Sequence, residues 1–150
     1  MVKLDGLTKE ILALLREDAR RSYKEIAAAV HKPESTVRDR ILRLERAGVI
    51  QRYSTVLDRR KLGLSTTALV LADVPYQQLE EVTKRLLAIP NVLQVHHTSG
   101  ERRLAFVLAA RDLEDLQGLL ETQVAQLGFS DEEVVILLKT HREFGAPLQF

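Results

Sequence analysis

The stretch from Arg21 to Gly48 is punctuated so closely that few ways of folding it remain. Ser22-Tyr23-Lys24-Glu25 has the S-x-x-E spacing in which a serine hydroxyl and a glutamate carboxylate each satisfy a free backbone N–H at a helix start. Ile26, Ala29 and Val30 carry an apolar stripe from there to "HKP", where Pro33 removes a donor and disfavours helix at Lys32. Val37, Ile41 and Leu44 then recur at i, i+4 and i+7, and Gly48 is placed to stop a helix running from about Glu34 to Ala47. Upstream, Leu7, Ile11, Leu14 and Leu15 share one face of another helix, with Asp5 as N-cap and an end near Asp18. Two short helices, a tight turn and a third helix with a polar outer face predict a helix-turn-helix, whose last helix can lie in a DNA major groove.

That third helix carries Arg38, Arg40, Arg43 and Arg46. At about 100° per residue, Ser35, Asp39, Leu42, Arg43 and Arg46 point away from the apolar stripe, and Arg38 and Arg40 flank it. Such a face is either solvated and laced with pairs to Asp39 and Glu45, or it grips a polyanion. On the second reading Arg38, Arg40 and Arg43 meet phosphates or guanine edges while Ser35, Thr36 and Asp39 sit near base edges. Charge favours the second. Residues 1–64 hold 15 Lys/Arg against 9 Asp/Glu, net +6, whereas residues 65–150 hold 7 against 12, net −5. A basic half joined to an acidic half is expected when one part meets a polyanion, such as the double-stranded DNA that a helix-turn-helix would bind, and the other does not. Lys24, Lys32, Arg52 and Arg59 to Lys61 are weaker candidates for flanking phosphates.

Beyond the basic module the apolar period changes. "VIQRYSTVLD" (49–58) reads as a strand leaving the module, and "STTALVLADV" (65–74) as a second strand. "YQQLEEVTKRLLAI" is a helix with Leu79, Val82, Leu86 and Ile89 inward, ended by Pro90. "NVLQVHHTS" and "RRLAFVLAA" form strands joined at "GER"; a helix opened by Asp112 and a last strand "EEVVILLKT" follow. The order βαββαβ predicts an antiparallel sheet with both helices on one face, the ferredoxin-like arrangement. The chain therefore reads as α+β. A helix-turn-helix domain of winged-helix-like type spans 1–52, a linker strand and hinge 53–64, and a ferredoxin-like domain 65–150.

Several function classes find no support. The chain has no cysteine, which removes disulfides, thiolate metal sites and a cysteine nucleophile, and fits a reducing compartment. No G-x-S-x-G, P-loop, G-x-G-x-x-G or H-E-x-x-H occurs, so no catalytic residue and no cofactor is assigned. His96 and His97 are neighbours on a strand and point to opposite faces, which does not suit a shared metal; His31 and His141 read as surface residues. No apolar run approaches the roughly 18 residues of a membrane span, and the N-terminus lacks a signal-peptide core, so a cytoplasmic protein without a membrane partner is expected.

Taken in order, "LDGLTKEILALLREDARRSYKEIAAAV", "STVRDRILRLERAGVIQRYSTVLDRRKLGL" and "IPNVLQVHHTSGERRLAFVL" resemble the Lrp/AsnC (feast/famine) transcription regulators across essentially the whole chain. The resemblance implies a DNA-binding domain followed by a RAM domain, a homodimer built through the RAM sheets that is often assembled further into octamers, and control by a small-molecule effector. It places the effector at Thr98, Ser99, Gly100, Glu101 and Arg102; an amino acid there needs an acceptor for its ammonium group, which Glu101 offers, and donors for its carboxylate, which Arg102 offers. Two single positions and one loop depart from the family pattern. Pro33 stands where a capping serine is usual, and Val134 where threonine is frequent. The family's Gly-Asp-Tyr-Asp loop reads Gly100-Glu101-Arg102-Arg103, whose arginines point to a more anionic ligand than a free amino acid, or to none. Two other classes have less support: a ligand-sensing or architectural module without specific regulation, which eroded basic residues in the third helix would signal, and an enzyme like the sirohaem decarboxylases, whose His/Tyr-rich run is missing here.

Overall fold

The computed structural model describes residues 4–141, and the chain divides into two compact units between Val56 and Leu57. The first holds three helices, α1 (Gly6–Glu17), α2 (Tyr23–Ala29) and α3 (Glu34–Arg46). Their starts follow the sequence punctuation. Asp5 caps α1 by accepting from the Thr8 N–H at 2.9 Å, and Ser22 and Glu25 close the reciprocal capping box on α2. Pro33 occupies the N-cap of α3 and offers no side-chain hydrogen bond. Ile11, Leu15, Ile26, Ala27, Val30, Val37 and Ile41 form the core, with Leu7, Leu14, Tyr23 and Ile50 against its edge.

Both α2 and α3 end in the same device. The residue after each C-cap is left-handed, Gly48 at φ +69° and His31 at φ +51°. The N–H groups of Gly48 and Val49 turn back to the carbonyls of Glu45 and Leu44, and those of His31 and Lys32 to Ala28 and Ala27. These are Schellman motifs, which satisfy the last carbonyls of a helix. A histidine fills one of them in the backbone region that favours glycine. His31 is thus exposed, as expected of a turn residue, but its backbone has a defined task.

Residues 49–58, expected as a strand, are not one. A strand exists only through a ladder to a partner, and the segment has none among the described residues. The 53–64 linker instead contains irregular backbone and a single turn of 3₁₀-helix, Arg60–Leu62, closed by left-handed Gly63.

The second unit is a four-stranded antiparallel sheet in the order β2-β3-β1-β4, from β1 (Thr66–Asp73), β2 (Val92–His97), β3 (Leu104–Ala110) and β4 (Asp131–Ile136). Two helices, α4 (Leu79–Leu87) and α5 (Leu113–Leu119), complete the βαββαβ order, α5 opened by Asp112, whose side chain accepts from the Asp115 N–H. Beyond Leu119 the helix loosens into a π turn, Leu120–Val124, and a 3₁₀ turn, Ala125–Leu127. Alternation along the strands separates two faces. Ala68, Val70 and Ala72 of β1 and Leu104, Phe106 and Leu108 of β3 are buried under the helices with Val82, Leu86, Leu116 and Val124. Phe129 packs on Phe106 with ring centroids 5.9 Å apart. The opposite face lines up Leu69 with Val107 and Val135, and Leu71 with Ala105, all at least partly exposed. The last strand ends at Ile136, short of the Thr140 expected; residues 142–150 of the predicted second domain lie outside the described residues.

Candidate nucleic-acid interface and effector loop

The polar face of α3 is set by what its apolar face must do. Val37, Ile41 and Leu44 are fully buried, which fixes the helix with Ser35, Arg38, Asp39, Arg43 and Arg46 exposed and Thr36 half-buried. Arg38 keeps only a loose 4.0 Å approach to Asp39, and Arg43 and Arg46 form no ion pair among the described residues. Glu45 accepts from the Tyr53 hydroxyl at 2.8 Å, and burial first, then this bond, pushes the phenol up to about 12. Arg38, Arg43 and Arg46 thus present three exposed guanidinium groups on one helix, the last two without an ion pair among the described residues; such groups can donate to phosphates or to the acceptor edge of guanine. Arg46 was not among the expected contacts, although its place on the wheel is as outward as that of Ser35.

Arg40 is different. Its Nη1 donates to Asp5 Oδ2 at 2.5 Å and to Thr8 Oγ1 at 2.7 Å, tying the middle of α3 to the first turn of α1. The wheel contains the reason: Arg40 lies only about 40° from Leu44, on the flank that faces α1. Expected at phosphates or guanine edges, its guanidinium is engaged within the unit.

The loop between β2 and β3 carries the residues expected to hold an effector. The strands stop at His97 and restart at Leu104, each two residues short of its expected end at Ser99 and Arg102. Thr98 ties the loop: its N–H donates to Arg103 O at 2.9 Å and its hydroxyl donates to Arg102 O. Ser99, Gly100 and Glu101 are exposed on the turn. Arg102, expected to donate to an effector carboxylate, spends its guanidinium within the unit, Nε on Asp131 Oδ2 at 2.8 Å and Nη1 on Glu133 Oε2 at 2.5 Å. Hydrogen bonding to Asp131 holds it more firmly protonated than an ordinary arginine. Arg103 is likewise engaged, by Asp73 Oδ1 at 2.8 Å and Val74 O at 3.0 Å. The extra arginines at this loop thus meet the unit's own carboxylates. What remains open is one acid, Glu101, and one hydroxyl, Ser99.

His97 faces the helices, where its Nε2 lies 2.9 Å from Thr83 Oγ1. Because Thr83 donates its proton to Leu79 O at 2.7 Å, Nε2 must be the donor to the threonine oxygen. His96, paired with Ala105, points to the other face. No group of three or more metal-ligating side chains occurs among the described residues, and no helix there is long and apolar enough to cross a membrane.

Comparison with known proteins places these features. Residues 4–51 match the winged helix-turn-helix DNA-binding family, and residues 67–147 match the Lrp/AsnC ligand binding domain. The HTH-type transcriptional regulator FL11 of Pyrococcus horikoshii is 30% identical over 142 residues, covering 95% of this chain and 94% of that protein. The regulator LrpA of the same organism is 32% identical, over 83% of this chain and 88% of LrpA. In fold, AsnC of E. coli superposes with a TM-score of 0.89 at 19% identity, covering 97% of this chain and 99% of AsnC. A transcriptional regulator from Neisseria meningitidis, solved as a complex with L-Met, gives 0.87 at 22% identity, covering 94% of each chain. The chain accordingly belongs to the Lrp/AsnC family of transcriptional regulators, with a helix-turn-helix DNA-binding domain followed by the family's ligand-binding domain.

Proposed function

We propose that this regulator reads DNA through the exposed face of α3. Arg38, Arg43 and Arg46 hold phosphates or guanine edges, and Ser35, Thr36 and Asp39 lie against bases. The observation that carries this is the trio of exposed guanidinium groups on the face of a helix whose other face is a buried apolar stripe. Phosphate contacts supply salt-dependent affinity, and the shorter polar side chains supply sequence choice.

Two copies act together. The sheet face opposite the helices presents Leu69, Leu71, Val107 and Val135 to solvent in the single chain, an apolar surface suited to a second copy. A two-fold dimer through this face sets two α3 helices on one operator, which then has to be a rough palindrome with half-sites one helical turn or a multiple apart. Such a protein works in the cytoplasm, on double-stranded DNA, without chemistry of its own.

The effector site is proposed at Thr98–Glu101. Glu101 accepts from an ammonium group and the Ser99 hydroxyl donates to a carboxylate, so a free amino acid suits the loop better than the arginine count suggests. The L-Met complex of the Neisseria protein supports this class of ligand. Selection of genomic fragments by the purified protein at physiological salt, with and without each amino acid, tests both halves of the reading. A recurring palindrome whose retention changes with one amino acid is expected. Retention without a common site would leave an architectural binder, and no retention would leave a ligand-sensing module.

A further inference from the structure

Thr8 is the one buried polar residue among those described, 1% exposed, and it sits where two helices must be held in register. Its hydroxyl donates to Asp5 Oδ1 at 2.7 Å and accepts from Arg40 Nη1 at 2.7 Å. Asp5 Oδ1 also receives the Thr8 N–H, while Oδ2 receives Arg40 Nη1 at 2.5 Å. One carboxylate thus caps α1 and anchors α3, and the buried hydroxyl lies between carboxylate and guanidinium with a partner on each side. Hydrogen bonding to Arg40 holds the Asp5 carboxyl far below the usual carboxylate range, so the cluster stays ionised at any pH where the protein works.

Apolar packing alone does not fix α3 this tightly. The contact of Ile11 and Leu15 with the Val37–Ile41 stripe is non-directional and tolerates small rotations of one helix against another. A charge-assisted bond at about 2.7–2.9 Å does not. Side-chain tips lie about 6 Å from a helix axis, so a 10° rotation moves them by about 1 Å, enough to take a base contact out of hydrogen-bonding range. Arg40 is the midpoint of α3 and lies on its flank, between the buried stripe and the exposed polar face.

We propose that Asp5, Thr8 and Arg40 form a clamp that sets the rotation of α3, and that Arg40 acts in sequence discrimination as a positioning residue without touching DNA. The clamp rests on the reading of α3 as the DNA-binding face. It assigns a DNA-binding role to an acidic residue, which a charge argument alone would count as a hindrance.

The test uses the full chain, its selected site and a scrambled duplex, with affinities measured across a salt series. Asp5→Asn keeps an N-cap while removing a negative charge. Electrostatics alone predicts tighter binding to both duplexes. The clamp predicts a fall of about tenfold in the ratio of specific to scrambled affinity, equivalent to one misplaced base contact. Thr8→Val changes no charge and is expected to lower the same ratio. Arg40→Lys keeps the charge but ends one bond short of the point where Nη1 meets both Asp5 and Thr8, so the ratio falls while the salt slope stays at the wild-type value. Circular dichroism on each variant separates loss of discrimination from loss of fold, and Arg40→Lys, the mildest change, serves if Thr8→Val does not fold. A salt slope that drops by about one in Arg40→Ala, with discrimination intact in Asp5→Asn, would make Arg40 a phosphate contact and overturn the clamp. A wild-type protein with no preference for any site would overturn the reading of α3, and the clamp with it.

Discussion

His31 and Gly48 hold the same position in two Schellman motifs, and substitutions at the two should move stability in opposite directions. At φ +51° an L side chain is strained by about 1–2 kcal/mol, which His31→Gly relieves. Glycine restores part of that through the greater freedom of the unfolded chain, a cost of about 0.5–1 kcal/mol. The net expectation is a gain of about 0.5–1 kcal/mol, since His31 is exposed and forfeits no core packing. Gly48→Ala runs the other way. A Cβ built there meets nothing within 4 Å, so the loss is purely conformational, about 1 kcal/mol, with no clash added. Urea unfolding followed by far-UV circular dichroism measures both, with the helical first unit expected to dominate the change. At constant m, a gain of 1 kcal/mol raises the melting temperature by about 2–4 °C in a protein of this size. A destabilised His31→Gly with unchanged m would show that the imidazole contributes more than its backbone costs, and would refute the reasoning.

Other consequences follow from the same geometry. Arg43→Ala is expected to flatten the dependence of log affinity on log salt by about 0.9 per site while leaving the melting curve unchanged; an unaltered slope would remove Arg43 from the phosphate contacts. The depressed Asp5 carboxyl stabilises the fold above its unfolded value near 3.8, and that contribution is lost as pH falls towards the folded value, so wild type should lose stability below about pH 4 more steeply than Asp5→Asn. Parallel acid curves for the two proteins would contradict the ion pair. Val107→Asp places a charge in the middle of the open sheet face and should yield a monomer in analytical ultracentrifugation with the fold retained; an unchanged sedimentation coefficient would move the dimer contact elsewhere. Phe106→Ala removes the largest fully buried side chain and should cost about 3–5 kcal/mol in the unfolding of the second unit.

What the sequence made legible was local. Asp5, Ser22 with Glu25, Asp112 and Gly48 mark helix ends because a cap is decided within four residues, and each performs that task in the structure. The βαββαβ order was equally legible from apolar period and turn residues. Partner identity was not. Arg40 and Arg43 look alike on a charged helix, and only the fold brings Asp5, 35 residues away, to one of them. Arg102 repeats the lesson, since its partners Asp131 and Glu133 are 29 and 31 residues distant and reach it across the sheet. Residues 49–58 have strand composition, but composition cannot supply the neighbouring strand that makes a ladder. Leu120–Val124 continues an amphipathic pattern whose hydrogen bonds slip to π spacing, a shift that the apolar period does not register.

Which face of α3 reads sequence is tested most directly by a selection of random duplexes repeated with a Ser35→Ala, Asp39→Ala variant. Both residues are exposed on the face opposite the buried stripe and hold no helix together, so the variant should fold and still retain DNA through its arginines. The expected result is a selected motif that keeps its half-site spacing and loses preference at one or two positions in each half. A motif identical to the wild type at every position would contradict the account, and would place sequence reading on another part of the molecule.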